Sequence, residues 1–154
     1  MKLPDATGSA DTQSRAEESR LADEAVERRM PLGLEASIER VVPREWTIAI
    51  YDPRLPPVFS TPAMIGMMEV AAANSLLSEL PPGVISLGTR IEVDHLKAVH
   101  EGATVRATAR LVAYQGRFLV FDVEARCGEL LLGRGKVFRA IVQNKKFQVP
   151  SKEK

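Results

Sequence analysis

Cysteine is almost missing from this chain of 154 residues, which contains Cys127 alone. A single cysteine cannot form an intramolecular disulfide, and a chain without disulfides is typical of reducing compartments. Long apolar runs are missing as well. No stretch approaches the roughly 20 apolar residues of a membrane span, and the N-terminal residues lack the apolar segment of a secretion signal. We therefore expect a cytoplasmic protein that does not enter a membrane.

An excess of charge of one sign is also missing. The chain has 21 lysines and arginines against 20 aspartates and glutamates, which gives a formal net charge of +1. Nucleic acids and anionic membranes attract proteins through clustered positive charge, so neither is expected as a partner. The sequence contains no GxGxxG, no P-loop, no GxSxG and no histidine pair at metal-ligand spacing. These absences exclude the commonest nucleotide, serine-hydrolase and metal sites.

Hydrophobic residues make up 45% of the chain, enough for one core in a single domain. We expect this domain over residues 34–143. Residues 1–33 are polar and predict a mobile extension, in which residues 11–29 could form a solvated helix. Residues 144–154 form a basic tail.

The longest apolar stretch, residues 60–80, predicts a helix around which the domain is built. Thr61 fits the N-cap and Pro62 fits the first turn, where no N–H donor is needed. Pro81, Pro82 and Gly83 end the helix. Apolar residues lie on all sides of this segment, which indicates a helix that is buried on most sides.

Glu69 is the exception within that helix, because none of the residues one turn away can neutralise a carboxylate. A buried carboxylate needs compensating hydrogen bonds or charge. Two interpretations remain open: a structural carboxylate bonded to nearby backbone, or a general base or nucleophile. Thr61 precedes Glu69 by eight residues, which places both on one side of the helix within about 80°.

The rest of the chain has the period-2 alternation of strands. The predicted strands are residues 34–51 (interrupted at Pro43), 84–99, 102–114, 118–127 and 130–143. Gly133 and Gly135 indicate a bulge or a close backbone approach in the last strand. The pattern predicts an α+β protein in which a curved antiparallel sheet, ending in a four-stranded meander, wraps around one long helix. This is the hotdog fold, and dimerisation would cover its exposed edges.

Two further positions could carry chemistry. His95 alternates in phase with Ile91 and Val93, so it should point to the apolar side of its strand, as a core residue or as a catalytic one. Arg139 lies with Arg134 and Lys136 on the last strand, and this group is either a solvated face or a counter-charge for an acidic ligand.

Taken together, these residues resemble the fluoroacetyl-CoA thioesterase-like branch of the hotdog acyl-CoA thioesterases. The resemblance covers residues 34–143 and rests on the order and spacing of Thr61-Pro62, Glu69, Gly88, His95 and Arg139. It implies that Thr61, Glu69 and His95 form a catalytic set and that Gly88 and Arg139 contact the substrate. It further implies a homodimer that holds an acyl-CoA thioester at the subunit interface without a metal or organic cofactor. Assembly of the dimer into a higher oligomer is an alternative that the sequence leaves open.

The loop before the helix departs from the pattern of this family. The fluoroacetate-specific member has phenylalanines there that form a lid, whereas this chain has Asp52 and Leu55. The departure argues against fluoroacetyl specificity but not against thioesterase chemistry. Leucine, valine and methionine residues near the expected pocket indicate a small-to-medium apolar acyl group. Two alternatives on the same fold are a non-catalytic acyl-CoA-binding or sensing module and an enoyl-CoA hydratase or dehydratase.

Overall fold

A computed structural model describes residues 8–150, which fold into two helices and five strands. These are α1 (Gly8–Glu27), β1 (Glu35–Val41), α2 (Thr61–Leu76), β2 (Val84–His95), β3 (Thr104–Gln115), β4 (Phe118–Cys127) and β5 (Leu130–Gln143). Residue contacts divide the chain into two compact units. One contains Pro31–Ser78 and Ser86–Ala140, and the other contains α1, Glu79–Ile85 and residues 141–150.

The five strands form one sheet in the order β1-β3-β4-β5-β2. The β1–β3, β3–β4 and β4–β5 pairs are antiparallel. The predicted four-stranded meander is therefore wrong in one respect, because β2 lies beside β5 rather than β3. Gly133 and Gly135 explain this pairing. A Cβ atom at Gly135 would overlap the Glu92 carbonyl oxygen, and a Cβ atom at Gly133 would lie 2.8 Å from the Asp94 carbonyl oxygen. The close backbone approach predicted for these glycines is confirmed.

The first strand is shorter than predicted. β1 ends at Val41, and the alternating residues after Pro43 form two short 3-10 turns, Arg44–Trp46 and Ile48–Ile50. Proline has no N–H to continue a ladder, which ends the strand at this point.

Helix α2 begins at Thr61, and Ser60 rather than Thr61 is its N-cap. The Ser60 hydroxyl oxygen accepts a hydrogen bond of 3.3 Å from the Ala63 N–H. Thr61 is thus the first helical residue, and the prediction that it caps the helix is wrong. The α-helix ends at Leu76, before the proline pair, and continues as a 3-10 turn over Leu77–Glu79.

One side of α2 packs against the sheet, and the other side is exposed in this chain. The buried residues are Met64, Met67, Met68, Ala71, Ala72, Ser75 and Leu76. They meet alternating small and large side chains of the sheet, including Ala107, Ala109, Leu111 and Phe121, which have no exposed surface. Val70 and Leu77 on the opposite side are 46% and 65% exposed. The prediction of burial on most sides is therefore wrong for the single chain, but the predicted hotdog arrangement of sheet and helix is confirmed.

The second unit contains α1, which extends the helix expected over residues 11–29 towards the N-terminus. Ala22 and Ala25 of α1 are buried, and Arg28 forms an ion pair of 3.1 Å with Glu79. The boundaries at residues 33 and 143, and the mobility of the flanking segments, stay predictions. No helix within residues 8–150 is long and apolar enough to cross a membrane.

Candidate active site

A hydroxyl–imidazole pair forms where the start of α2 meets the end of β2. The Thr61 Oγ1 atom lies 2.8 Å from His95 Nδ1. Because Ser60 supplies the cap, the Thr61 hydroxyl is available for this contact. The second ring nitrogen, Nε2, is buried and has no hydrogen-bond partner among residues 8–150. The pair thus presents an imidazole that is held at one nitrogen and uncommitted at the other.

A shallow cavity of about 390 Å³ adjoins this pair. Its lining comes from the pair itself, from the loop before α2 and from the chain after β2: Ile48, Val58, Phe59, Thr61, His95, Leu96, Lys97 and Ala98. Val58 and Phe59 are the residues that the loop before α2 contributes to this lining. His95 is half-buried, whereas His100 is exposed.

A second group of contacting side chains lies about two helical turns further along α2, around Glu69. Glu69 Oε1 lies 3.6 Å from Arg139 Nη1 of β5. Arg139 also donates two hydrogen bonds to Ser86, from Nε to Oγ at 3.0 Å and from Nη2 to the carbonyl oxygen at 2.9 Å. The Arg139 side chain is only 8% exposed; burial lowers the pKa of its guanidinium, and the charge of Glu69 opposes that shift.

Glu69 is therefore neither buried nor without a counter-charge, which corrects the sequence-based prediction. Its side chain is 36% exposed, and its partner comes from β5 rather than from its own helix. Arg139 also differs from its neighbours on β5, since it is buried while Arg134 and Lys136 are exposed. The predicted basic group of three is thus split between the two faces of the strand.

Gly88 leaves the space in which the Glu69 carboxylate lies. A Cβ atom at Gly88 would overlap Glu69 Oε1 and lie 3.2 Å from its Cδ and 3.5 Å from Arg139 Nη1. The glycine sits on β2 without a positive φ, so its role here is space rather than backbone conformation.

The structure thus brings the five predicted residues together in two groups, Thr61 with His95 and Glu69 with Gly88 and Arg139. The eight residues from Thr61 to Glu69 correspond to about 12 Å along the helix axis. No hydrogen bond within residues 8–150 joins Glu69 to Thr61 or His95. Within the described part of the chain, no group of three or more His, Cys, Asp or Glu side chains could hold a metal ion.

Two features of this region were missed by sequence reasoning. Ser86 holds Arg139, and a serine in a strand gives no signal of that role. A larger cavity of about 560 Å³ lies on the other side of the α2 N-terminal half. Its lining comes from β1, the 3-10 turns and α2: Ile38, Arg40, Glu45, Trp46, Tyr51, Ser60, Pro62, Ala63, Gly66, Met67 and Val70.

Comparisons with known proteins bear on this arrangement. Residues 42–145 match the family model described as FlK, fluoroacetyl-CoA-specific thioesterase. The fluoroacetyl-CoA thioesterase of Streptantibioticus cattleyicolor is 39% identical over 99 residues, which cover 64% of this chain and 71% of the relative.

Solved structures agree with the sequence comparison. A mutant of the fluoroacetyl-CoA-specific thioesterase FlK, in complex with fluoroacetate and CoA, is 36% identical with a TM-score of 0.69, covering 77% of this chain and 100% of that one. A hot-dog-like protein from Thermanaerovibrio acidaminovorans is 24% identical with a TM-score of 0.69, covering 77% of this chain and 87% of that one, and so shares the fold. Because the family model matches most of the length of this chain, the chain belongs to the fluoroacetyl-CoA-specific thioesterase (FlK) family.

Proposed function

We propose that this protein is an acyl-CoA thioesterase and that Thr61, Glu69 and His95 form its catalytic set. The observation that carries the proposal is the Thr61–His95 contact, which orients an imidazole whose other nitrogen is uncommitted. A carboxylate on the same helix, Glu69, is held by Arg139 on one side and is open on the other. General base and general acid catalysis need groups of these two kinds within reach of one substrate.

The proposed reaction uses water and the thioester, without a metal or organic cofactor. Glu69 takes a proton from water as the water oxygen attacks the thioester carbonyl carbon. The tetrahedral intermediate then expels the CoA thiolate, and the protonated His95 supplies the proton that the thiolate needs. The proton that Glu69 took from water then passes through solvent to His95, which restores both groups. Direct attack by the Glu69 carboxylate, followed by hydrolysis of the resulting anhydride, gives the same products. Thr61 positions the imidazole through Nδ1.

A homodimer would bring the two groups of residues to one substrate. Strand β2 is at the edge of the sheet, so one side of its backbone is available for pairing with a second copy. In an antiparallel two-fold pair, the register that sets Gly88 opposite His95 of the partner subunit would bring Glu69 to the imidazole of the partner. We propose this shared site, propose that the dimer can assemble further into a higher oligomer, and propose the cytoplasm as the location of the protein.

The loop before α2 supports an acyl group other than fluoroacetyl. At the lid positions, Leu55 is 40% exposed and Asp52 is bound by Arg54, with 2.7 Å between Oδ2 and Nη2. Hydrogen bonds from Arg54 lower the pKa of Asp52, so this position carries a charge at neutral pH. A charged carboxylate cannot supply the apolar contact of a phenylalanine lid.

One observation favours a second candidate function, an acyl-CoA-binding module without catalysis. The Arg139 guanidinium lies 3.6 Å from the Glu69 carboxylate, so this carboxylate already has a structural partner within the chain. In this case the Thr61–His95 pair would bind the thioester region without cleaving it.

A thiol-release assay over a panel of acyl-CoAs tests the proposal. Wild type should release CoA from at least one panel member, and Glu69→Gln should lower the turnover by orders of magnitude. Glu39→Gln is the matched control, since Glu39 is an exposed carboxylate of β1. Saturable acyl-CoA binding without CoA release would favour the binding module, and enoyl-CoA hydration without CoA release would favour a hydratase.

A further inference from the structure

The cavity of about 560 Å³ on the β1 side of α2 has no role in the reaction as proposed above. Its size falls in the range of roughly 300–1,000 Å³ that is typical of sites for small organic ligands. Most of its wall is apolar, and its lining includes Trp46, Tyr51, Met67 and Val70. A two-carbon acyl group would fill only a small part of this space.

Gly66 lines this cavity and has an unusual environment for a helical glycine. A Cβ atom at this position would meet nothing within 4 Å. Glycine is the least favourable residue in a helix interior apart from proline. No neighbouring backbone or side chain requires a glycine here, whereas Gly88, Gly133 and Gly135 all lie against other groups. The missing side chain therefore leaves an open volume instead of allowing two protein segments to pack.

Gly66 is also the link between the cavity and the Glu69 carboxylate. Residues three apart on a helix are surface neighbours, about 60° apart around the axis. Helical side chains lean towards the N-terminus, so the Glu69 side chain leans over the turn that contains Gly66. A group bound beside the carboxylate can thus pass over Gly66 into the cavity without meeting a side chain at that position.

We propose that this cavity receives the acyl group of the substrate and that Gly66 sets its size, so that the enzyme prefers medium-chain or aryl acyl-CoAs to acetyl-CoA. This inference rests on the proposed thioesterase function and names its substrate class. With the carbonyl beside Glu69, the acyl chain lies over Gly66 and ends against Trp46. The charged side chains of Arg40 and Glu45 are exposed and lie at the rim, in contact with water rather than with the chain.

Substitution of Gly66 by leucine fills the proposed path. The ratio of kcat/KM for octanoyl-CoA to that for acetyl-CoA should fall about 10- to 200-fold, the range over which apolar pockets discriminate by size. The variant should fold, because leucine is a far better helix former than glycine and meets open space. Its Tm should be at least that of wild type. Asn74→Leu adds the same side chain to an exposed part of α2 outside the cavity and should leave the ratio unchanged.

Trp46 provides a second readout that does not need turnover, since it is the only tryptophan of the chain. In Glu69→Gln protein, octanoyl-CoA should change the Trp46 emission in a saturable way, while CoA at the same concentrations should not. Adding Gly66→Leu should abolish the change. If no acyl-CoA of the panel releases CoA, the thioesterase function is wrong. The change in Trp46 emission still shows whether an acyl group binds in the cavity.

Three outcomes would overturn the inference. The first is octanoyl-CoA hydrolysis by wild type with no change in Trp46 emission on octanoyl-CoA binding. The second is an equal emission change with CoA and with octanoyl-CoA. The third is Trp46 emission that depends on protein concentration and not on ligand, which would show that a second copy of the chain covers the cavity.

Discussion

Gly88 and Glu69 occupy one space between them: the carboxylate of Glu69 lies where the Cβ atom of any other residue at position 88 would be. This relationship joins β2 to α2 at the carboxylate that we propose as catalytic. The guanidinium of Arg139 lies close to the same place, with Nη1 3.5 Å from the hypothetical Cβ atom. The predictions below begin with this contact.

Gly88→Ala should displace the Glu69 carboxylate and lower kcat/KM by about 100-fold, the loss that a misplacement of roughly 1 Å can cause. The added methyl group should also cost about 1–3 kcal/mol of folding stability, the usual cost of overpacking. Kinetics and thermal unfolding of the same preparation measure both effects. Gly66→Ala is the matched control for the stability measurement alone, since its Cβ atom meets open space and should raise the Tm. Wild-type kcat/KM in Gly88→Ala would show that the position of Glu69 does not matter.

Ser60→Ala should destabilise the protein by about 1 kcal/mol, because it removes the hydrogen bond that caps α2. For a domain of this size the Tm should fall by about 2–4 °C. Thr61→Val removes no cap, so its Tm should fall less, while its kcat should fall because His95 Nδ1 loses its partner. Thr61→Ser keeps the hydroxyl and should retain most of the activity. A larger loss of Tm in Thr61→Val than in Ser60→Ala would show that Thr61, and not Ser60, caps the helix.

Arg139→Met should lower stability by about 1–3 kcal/mol, because it leaves the Ser86 carbonyl oxygen and the Glu69 carboxylate without their partner. Arg139→Lys keeps the charge but cannot reproduce the fork of donors to Ser86, so its stability should be intermediate. Urea denaturation at neutral pH measures the series. Equal stability of wild type and the methionine variant would mean that the contacts of the guanidinium with Ser86 and Glu69 do not stabilise the protein.

Local patterns in the sequence were enough to predict much of the fold. Alternation bounded by Gly116 and Gly128 predicted β4 and β5 with the residues that the structure has. The apolar run before two prolines predicted α2 to within a few residues. These signals are strong because each depends only on residues close together in the chain.

The errors in the predicted fold have a different origin. Trp46, Ile48 and Ile50 alternate as in a strand, but the residues buried between them are Thr47 and Ala49. The pairing of β2 with β5 depends on glycines some forty residues away in sequence, which no local period reveals.

The same difference between local signals and contacts of distant residues applies to the candidate site. The types and order of Thr61, Glu69 and His95 were evident from the sequence. The partner of Glu69 was not, since Arg139 reaches it from β5 and is oriented there by Ser86. The cavity was also missed, because an open volume beside Gly66 is a property of the packed chain and not of the residue.

The shared site can be tested most directly by mixing two inactive variants. Glu69→Gln and His95→Asn should each be nearly inactive alone. If each site combines Glu69 of one subunit with the Thr61–His95 pair of the other, a mixed dimer has one complete site. After denaturation and refolding together at equal amounts, activity should return to about a quarter of the wild-type value per subunit. Activity of the mixture that stays at the level of the separate variants, with mixed dimers present, would contradict the shared site.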